Sequence, residues 1–278
     1  MNDTTTISPS SITPRNVQFG FTPALPLNWH SGDPATSRFY DALSLTFPQG
    51  ERFFIDSVRL FADQVTDPDL KRDIRAFIAQ EAIHSREHAS YNALLTAHGI
   101  NVDGFERFME RAMKVSQRWI PGKTQLAITC AYEHYTALFA EAILGDPRVM
   151  ADAHPLYRDL WRWHAMEEEE HKAVAFNVYQ TVAPGFIGYV RRVTMMSVAA
   201  FDFFFGIPIL QFWLMAKAGD AANLRSWGRG LRHMWLSPGI WRRALVGTFA
   251  YMAPGFHPSK RAVKPEVLAW RAHYIATQ

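Results

Sequence analysis

Four glutamates and two histidines recur in a fixed order along this chain: Glu51, Glu81-x-x-His84, Glu133, Glu168-x-x-His171. The second half of the pattern repeats the first at an offset of 82 to 87 residues. With 12 Glu and 11 His in 278 residues, chance supplies about 0.5 Glu-x-x-His pairs, so one pair means little and two inside helical stretches mean more. A spacing of three places both side chains of a pair on one helix face. Glu133 sits in the mostly apolar stretch ITCAYEHYTALFAEAIL, where a buried carboxylate without a partner is costly. The economical arrangement is four helices that each turn a carboxylate toward a common centre.

The rest of the front half supports helices. Helical periodicity dominates from Ser37 onward. A segment beginning near Pro48, a residue suited to a first helical turn, runs to Asp67. Asp67-Pro68 then caps a helix that ends at Gly99, and others are expected over about 102–119, 123–144 and 155–182. No strand alternation and no Asn-Gly or Asp-Gly hairpin is present. The chain is therefore expected to be all-α, with helices long enough for a four-helix bundle.

Glu51, Glu81, His84, Glu133, Glu168 and His171 form the candidate ligand set of a binuclear metal site. Two divalent ions carry four positive charges, which four carboxylates neutralise while two imidazoles supply nitrogen. Such a donor set suits iron, manganese or a mixed pair. His88 and His164 lie one turn from His84 and Glu168 and are additional candidates, as ligands or as partners that orient the carboxylates. Glu167, four residues before His171, is the alternative to Glu168; at least two of Glu167 to Glu170 are expected on a solvated face. Cys130 reads as a small buried hydrophobe.

The stretches FPQGERFFIDSVR, QEAIHSREH, AYEHYTALFAE and LWRWHAMEEEEHKAVAFNVY resemble bacterial proteins described as predicted metal-dependent hydrolases, which are similar to the ferritin-like di-iron superfamily. The resemblance covers roughly residues 47–179. It implies a ferritin-like four-helix bundle, metal roles for Glu51, Glu81, His84, Glu133, Glu168 and His171, and matching positions at His88 and His164. The expected function is that of a di-iron oxidoreductase that activates dioxygen. The hydrolase description implies the alternative, metal-activated water, and a non-enzymatic metal-binding or membrane-associated protein is the third reading.

Charge divides the chain. From Phe186 onward there are 12 Lys/Arg and 3 Asp/Glu, against 17 and 23 before it. An extended or disordered arm is expected over residues 1–36, the metal-binding bundle over 37–185, and an apolar helical hairpin with a basic, Trp-rich amphipathic tail over 186–278. Between Arg192 and Lys217 lie 24 residues with Asp202 as the one charge, a length that could span a bilayer. Gly206 and Pro208 interrupt it, which favours a hairpin that is buried or dips into one leaflet. Tryptophans and arginines downstream suit a headgroup interface, and no nucleic-acid motif accompanies them. Expected partners are an apolar or lipid-like substrate, an electron donor, a peripheral membrane surface and a second copy as a homodimer; nucleic acid is not expected. One cysteine and an N-terminus without an apolar signal segment point to the cytoplasm.

Overall fold

The computed structural model describes residues 12–261 and Leu268. It is all-α; among the described residues there is no sheet, and one isolated bridge pairs His30 with Ala153. Met1 to Ser11, part of the expected arm, and most of the chain beyond Arg261 lie outside the described residues.

The first helix, α1, covers Pro34–Arg59, with Asp33 accepting the Thr36 N–H as its N-cap. Pro48 therefore does not begin a helix, as its first-turn preference suggested, but lies inside one. A proline within a helix leaves the carbonyl four residues earlier without its donor. Here that carbonyl belongs to Ser44, and Asn92 Nδ2 of the next helix donates to it at 3.0 Å. That helix, α2 (Pro68–Ala97), packs along α1 and ends at Gly99, which adopts φ 86° as a C′ glycine should. Next come α3 (Asp103–Trp119) and α4 (Gly122–Gly145), near their expected limits. The expected 155–182 helix is two: α5 (Pro155–His171) and α6 (Val174–Val182), parted at Lys172-Ala173 directly after a histidine whose ring is held by α2. α1 packs on α2 and α4 on α5, and these four helices carry every sequence-predicted ligand.

The expected hairpin at 193–216 is instead one helix of 33 residues, Gly185–Lys217. It comprises α7 (Gly185–Phe201), a π-helical stretch Asp202–Gly206 and α8 (Ile207–Lys217). Pro208 does not turn the chain back, because the π turn before it closes with Ile207 N–H on the Asp202 carbonyl and absorbs the disruption. By length and composition this helix could cross a membrane, and only 28% of its most apolar stretch is buried, so it is not a core helix either. Its inner side packs on α4 through α7 and on α1 through α8.

The tail forms α9 (Leu224–Leu231), a second π-helical stretch (Arg232–Leu236) and α10 (Ile240–Met252). Part of its expected interfacial character is spent on packing. Trp241 is buried, and its ring meets Phe39 of α1 and Phe203 of the π stretch at 5.9 and 5.8 Å. Arg229 pairs with Asp33, and Arg243 with Asp146. α10 approaches α4 so closely that a Cβ at Gly247 would come within 2.3 Å of the Leu138 side chain, which would have to move to admit one. Buried side chains of front and rear form one continuous core.

Candidate metal centre

α1 contributes Glu51; α2 contributes Glu81, His84 and His88; α4 contributes Glu133; α5 contributes His164, Glu167, Glu168 and His171, and all nine are buried. Their donor atoms converge. One set within 4.8 Å of one another is Glu81, Glu133, Glu168 and His171, and another is Glu51, Glu81 and His84. These are the six sequence-predicted ligands, divided into two sets that share Glu81. Donor atoms of Glu51, His88 and His164 also lie within 4.8 Å of one another, as do those of His84, His164 and Glu168, so both additional histidines reach the centre.

Contacts between the donors are short. Glu168 is held between His164 Nε2 on Oε1 at 2.8 Å and His171 Nε2 on Oε2 at 3.2 Å, with the Thr136 hydroxyl donating to Oε2. His164 in turn shares a hydrogen bond of 2.7 Å with His88, whose other nitrogen meets Ser44 Oγ at 2.8 Å. Glu81 Oε1 lies 3.0 Å from His171 Nε2 but off the direction of a hydrogen bond. Among the described residues, neither carboxylate oxygen of Glu51, Glu81 or Glu133 accepts any hydrogen bond.

That last observation tests whether cations fit. A buried carboxylate with no donor is a large cost, and three at one point compound it. Burial, with Glu81, Glu168 and Glu133 nearby, pushes the Glu51 carboxyl well above the usual range. Burial and Glu81 do the same for Glu133. Burial and then His164 lower His84 to about 3, so its imidazole is neutral and able to donate a lone pair. Burial works against the charged forms of Glu168 and His171, yet their mutual attraction prevails, holding the carboxyl low and the imidazole high. Oxygen and nitrogen donors, buried and short of positive charge, fit divalent cations; the residues that would hold them are the six predicted ones, with His88 and His164 at the edge.

Glu167 is not part of these sets. Its Oε2 shares a 3.0 Å hydrogen bond with His84 Nε2, and its Oε1 accepts from the Arg15 backbone N–H and guanidinium at 3.2 and 3.1 Å. Burial pushes its carboxyl up to about 7, against the pull of Arg15. It therefore fixes the ring of His84, the role a carboxylate beside a metal-binding histidine commonly plays. Neither Glu169 nor Glu170 forms the expected solvated face: Glu169 pairs with Lys172 at 2.8 Å, and Glu170 with Arg15 at 2.8 Å and Gln80 at 3.0 Å.

Two contributors carry no metal-ligand signature. Gln80 Oε1 meets His171 Nδ1 at 3.0 Å, which fixes the tautomer that leaves Nε2 toward the centre. Its position directly before Glu81 was the available hint. Arg15, expected at the end of a disordered arm, is instead buried against α5. No periodicity in its proline-rich surroundings marks it.

Beside the centre lies a cavity of about 750 Å³. Glu51, Glu168 and Thr136 reach its wall, which is otherwise mostly apolar and is drawn from α1, α3, α4, α7, the π stretch and α8. Tyr132 donates its hydroxyl to Asp202 Oδ2 across this wall at 2.7 Å.

Comparison with curated proteins and with solved structures gave no match. A family profile matches residues 13–262, well beyond the resemblance seen over 47–179, so the matched stretch takes in Arg15 and the rear helices as well as the Glu and His motifs. A chain matched over nearly its whole length, with a buried Glu/His centre suited to metal, belongs to the family described as predicted metal-dependent hydrolases.

Proposed function

We propose that the protein is a metal-dependent hydrolase with two divalent cations held by Glu51, Glu81, His84, Glu133, Glu168 and His171. The observation that carries this reading is the set of six buried carboxylate oxygens, on Glu51, Glu81 and Glu133, that no donor among the described residues satisfies. Bound there, the cations would supply Lewis-acid polarisation of an ester or amide carbonyl and a water of lowered pKa. The chain does the positioning: Glu167 and Gln80 hold the two imidazoles, His164 and Thr136 hold Glu168, and the apolar wall limits water at the centre. Because burial and the neighbouring carboxylates raise the Glu51 and Glu133 carboxyls, metal loading should release protons, and affinity should fall as pH falls.

A second reading, a di-iron oxidoreductase built like the ferritin-like proteins, is favoured by the thiolate-free donor set beside an apolar cavity. One assay separates the two. Purified protein loaded with iron, manganese or zinc is given a fatty-acyl ester with and without dioxygen. Turnover that survives anaerobically and stops with a chelator supports hydrolysis; turnover only in dioxygen supports the second reading. Fewer than two cations per chain at saturation overturns the binuclear site under both.

As partner we propose a membrane surface carrying anionic lipid. Phe201, Phe205 and Ile209 are exposed on the Gly185–Lys217 helix, and the basic excess of the chain lies in the same region.

A further inference from the structure

The shape and lining of the cavity narrow the substrate. Its wall follows α1 from Leu43 to Phe54 and α4 from Ile128 to Phe139, roughly 16 Å each, and the rear helix from Met195 to Trp213, roughly 27 Å. A compact space of about 750 Å³ would be only about 11 Å across, so this one is elongated. Three charged residues line it, Glu51, Glu168 and Asp202, and none is Lys or Arg. Phosphorylated or other polyanionic ligands therefore have no counter-charge in the cavity itself. Met109, Met113 and Met195 on α3 and α7 add unbranched, adaptable surface that conforms to a flexible chain. Away from the centre the lining reaches residues that are also largely exposed, Phe108 at 62%, Val198 at 54% and Ile209 at 69%, so the far end opens on the apolar outer face.

We propose that the cavity is the tail site for a single-chain amphiphile, a fatty-acyl ester or amide whose hydrocarbon lies along α1 and α7 and whose polar end rests against Glu51 and Glu168. This specifies the substrate class of the centre and rests on the reading of that centre as the reacting site. The tail then extends from the centre toward the mouth beside Phe108 of α3 and Ile209 of α8. The π turn at Asp202–Gly206 forms part of the cavity wall, and a Cβ at Gly206 would come within 2.4 Å of Asp202 Oδ1.

Binding, measured apart from turnover, tests it. Saturated fatty-acid methyl esters from six to fourteen carbons are titrated against a fluorescent apolar probe bound to the full-length protein, once loaded with manganese and once stripped by chelator. Affinity should rise about fourfold per added methylene and then level off once the cavity is filled. Gly50→Leu should lower the affinity for the longest esters at least tenfold and leave metal content unchanged. A Cβ at Gly50 meets nothing nearer than the Phe54 ring at 4.0 Å, so the substitution extends into space, and leucine suits the helix better than glycine. Affinity that ignores chain length, or a Gly50→Leu protein that binds long esters as the parent does, overturns the tail site. Two cations bound without chain-length dependence would sink this proposal and leave the centre standing; chain-length dependence in a protein that binds no metal would sink the centre and leave the tail site.

Discussion

The interior between α1, α2, α4 and α5 hides charge, and the outer face of α7 and α8 displays hydrocarbon. Each reverses the usual rule that charged groups stay in water and large apolar groups leave it. In the front, Glu51, Glu81, Glu133 and Glu168 are buried within reach of one another, an arrangement whose carboxylates repel one another unless protons or cations neutralise them. In the rear, Phe186, Ile187, Phe201 and Ile209 are each more than two thirds exposed. On the reading proposed above, the difference assigns a small cation to the interior and a membrane surface to the outer face. The cavity touches both, with Glu168 on one part of its wall and Ile209 on another.

The front half of that comparison breaks most decisively. Glu133→Ala and His84→Ala each remove a donor from one of the two sets, and metal affinity should fall by more than about 100-fold, beyond the usual effect of disturbing a ligand's support. Far-ultraviolet circular dichroism should keep its helical signal in Glu133→Ala, since removing a buried, unsatisfied carboxylate does not weaken the core. Elemental analysis after dialysis reads the result; parental loading in both variants would remove these residues from the centre.

Acid and base should act in opposite senses on the two regions. His233 of the rear π stretch shares a 2.9 Å hydrogen bond with Tyr40 of α1, and burial, then His30, push its pKa down to about 3. His134 of α4 donates to the Gly247 carbonyl of α10, and burial lowers it to about 4. Both are neutral when folded and take protons more readily when unfolded. Stability is unaffected above the unfolded value near 6.5 and declines as pH falls toward 3, by about 3 kcal/mol at pH 4 from His233 alone. Glu51 and Glu133 shift upward, so in metal-stripped protein their contribution is fully present below pH 4.5 and is lost as pH rises. Urea unfolding across pH, with and without metal, separates the two: metal should abolish the alkaline loss and leave the acid loss in place. A His233→Gln variant should flatten the acid limb.

How much of this was legible in the sequence depends on the range over which each residue acts. The Glu and His order could be read because helical spacing fixes which side chains share a face. Four short motifs therefore define one centre before any packing is known. Pro48 could not be placed, because its tolerance inside α1 depends on Asn92, 44 residues away on α2 and bonded to the carbonyl that proline leaves open. Arg15 was hidden for the same reason, reaching Glu167 across 152 residues from a segment with no periodicity. The π turn before Pro208 is likewise a local solution that composition does not announce, so one long helix read as a hairpin. Arg15→Ala tests the long-range part directly. It should free Glu167 and loosen the ring of His84, lowering metal affinity about 10-fold to 100-fold. Arg15→Lys should restore only part of this, because a single ammonium cannot bridge Glu167 and Glu170 as the guanidinium does. Unchanged affinity would make the arm a cover for α5 with no role in the centre.

The smallest expected effect on stability lies on the rear face, and its smallness is the point. Phe205 and Ile209 are 57% and 69% exposed, so replacing both with serine removes little buried contact. Unfolding free energy should change by no more than about 0.5 kcal/mol per site, as at other surface positions. If that face rests on lipid, the same pair should weaken co-flotation with vesicles containing anionic phospholipid by at least tenfold, since each lost side chain forfeits about 1.5–3 kcal/mol of burial. Raising salt should weaken binding further through the basic residues of the tail, among them the exposed Arg225, Arg232 and Arg242. Arg229 and Arg243 contribute less to that salt dependence, because Asp33 and Asp146 already neutralise them. A double variant that floats with vesicles as well as the parent, at parental stability, would mean that hydrocarbon exposed on this helix serves something other than a bilayer. The contrast between a charged interior and an apolar exterior would then require a different partner on its outer side.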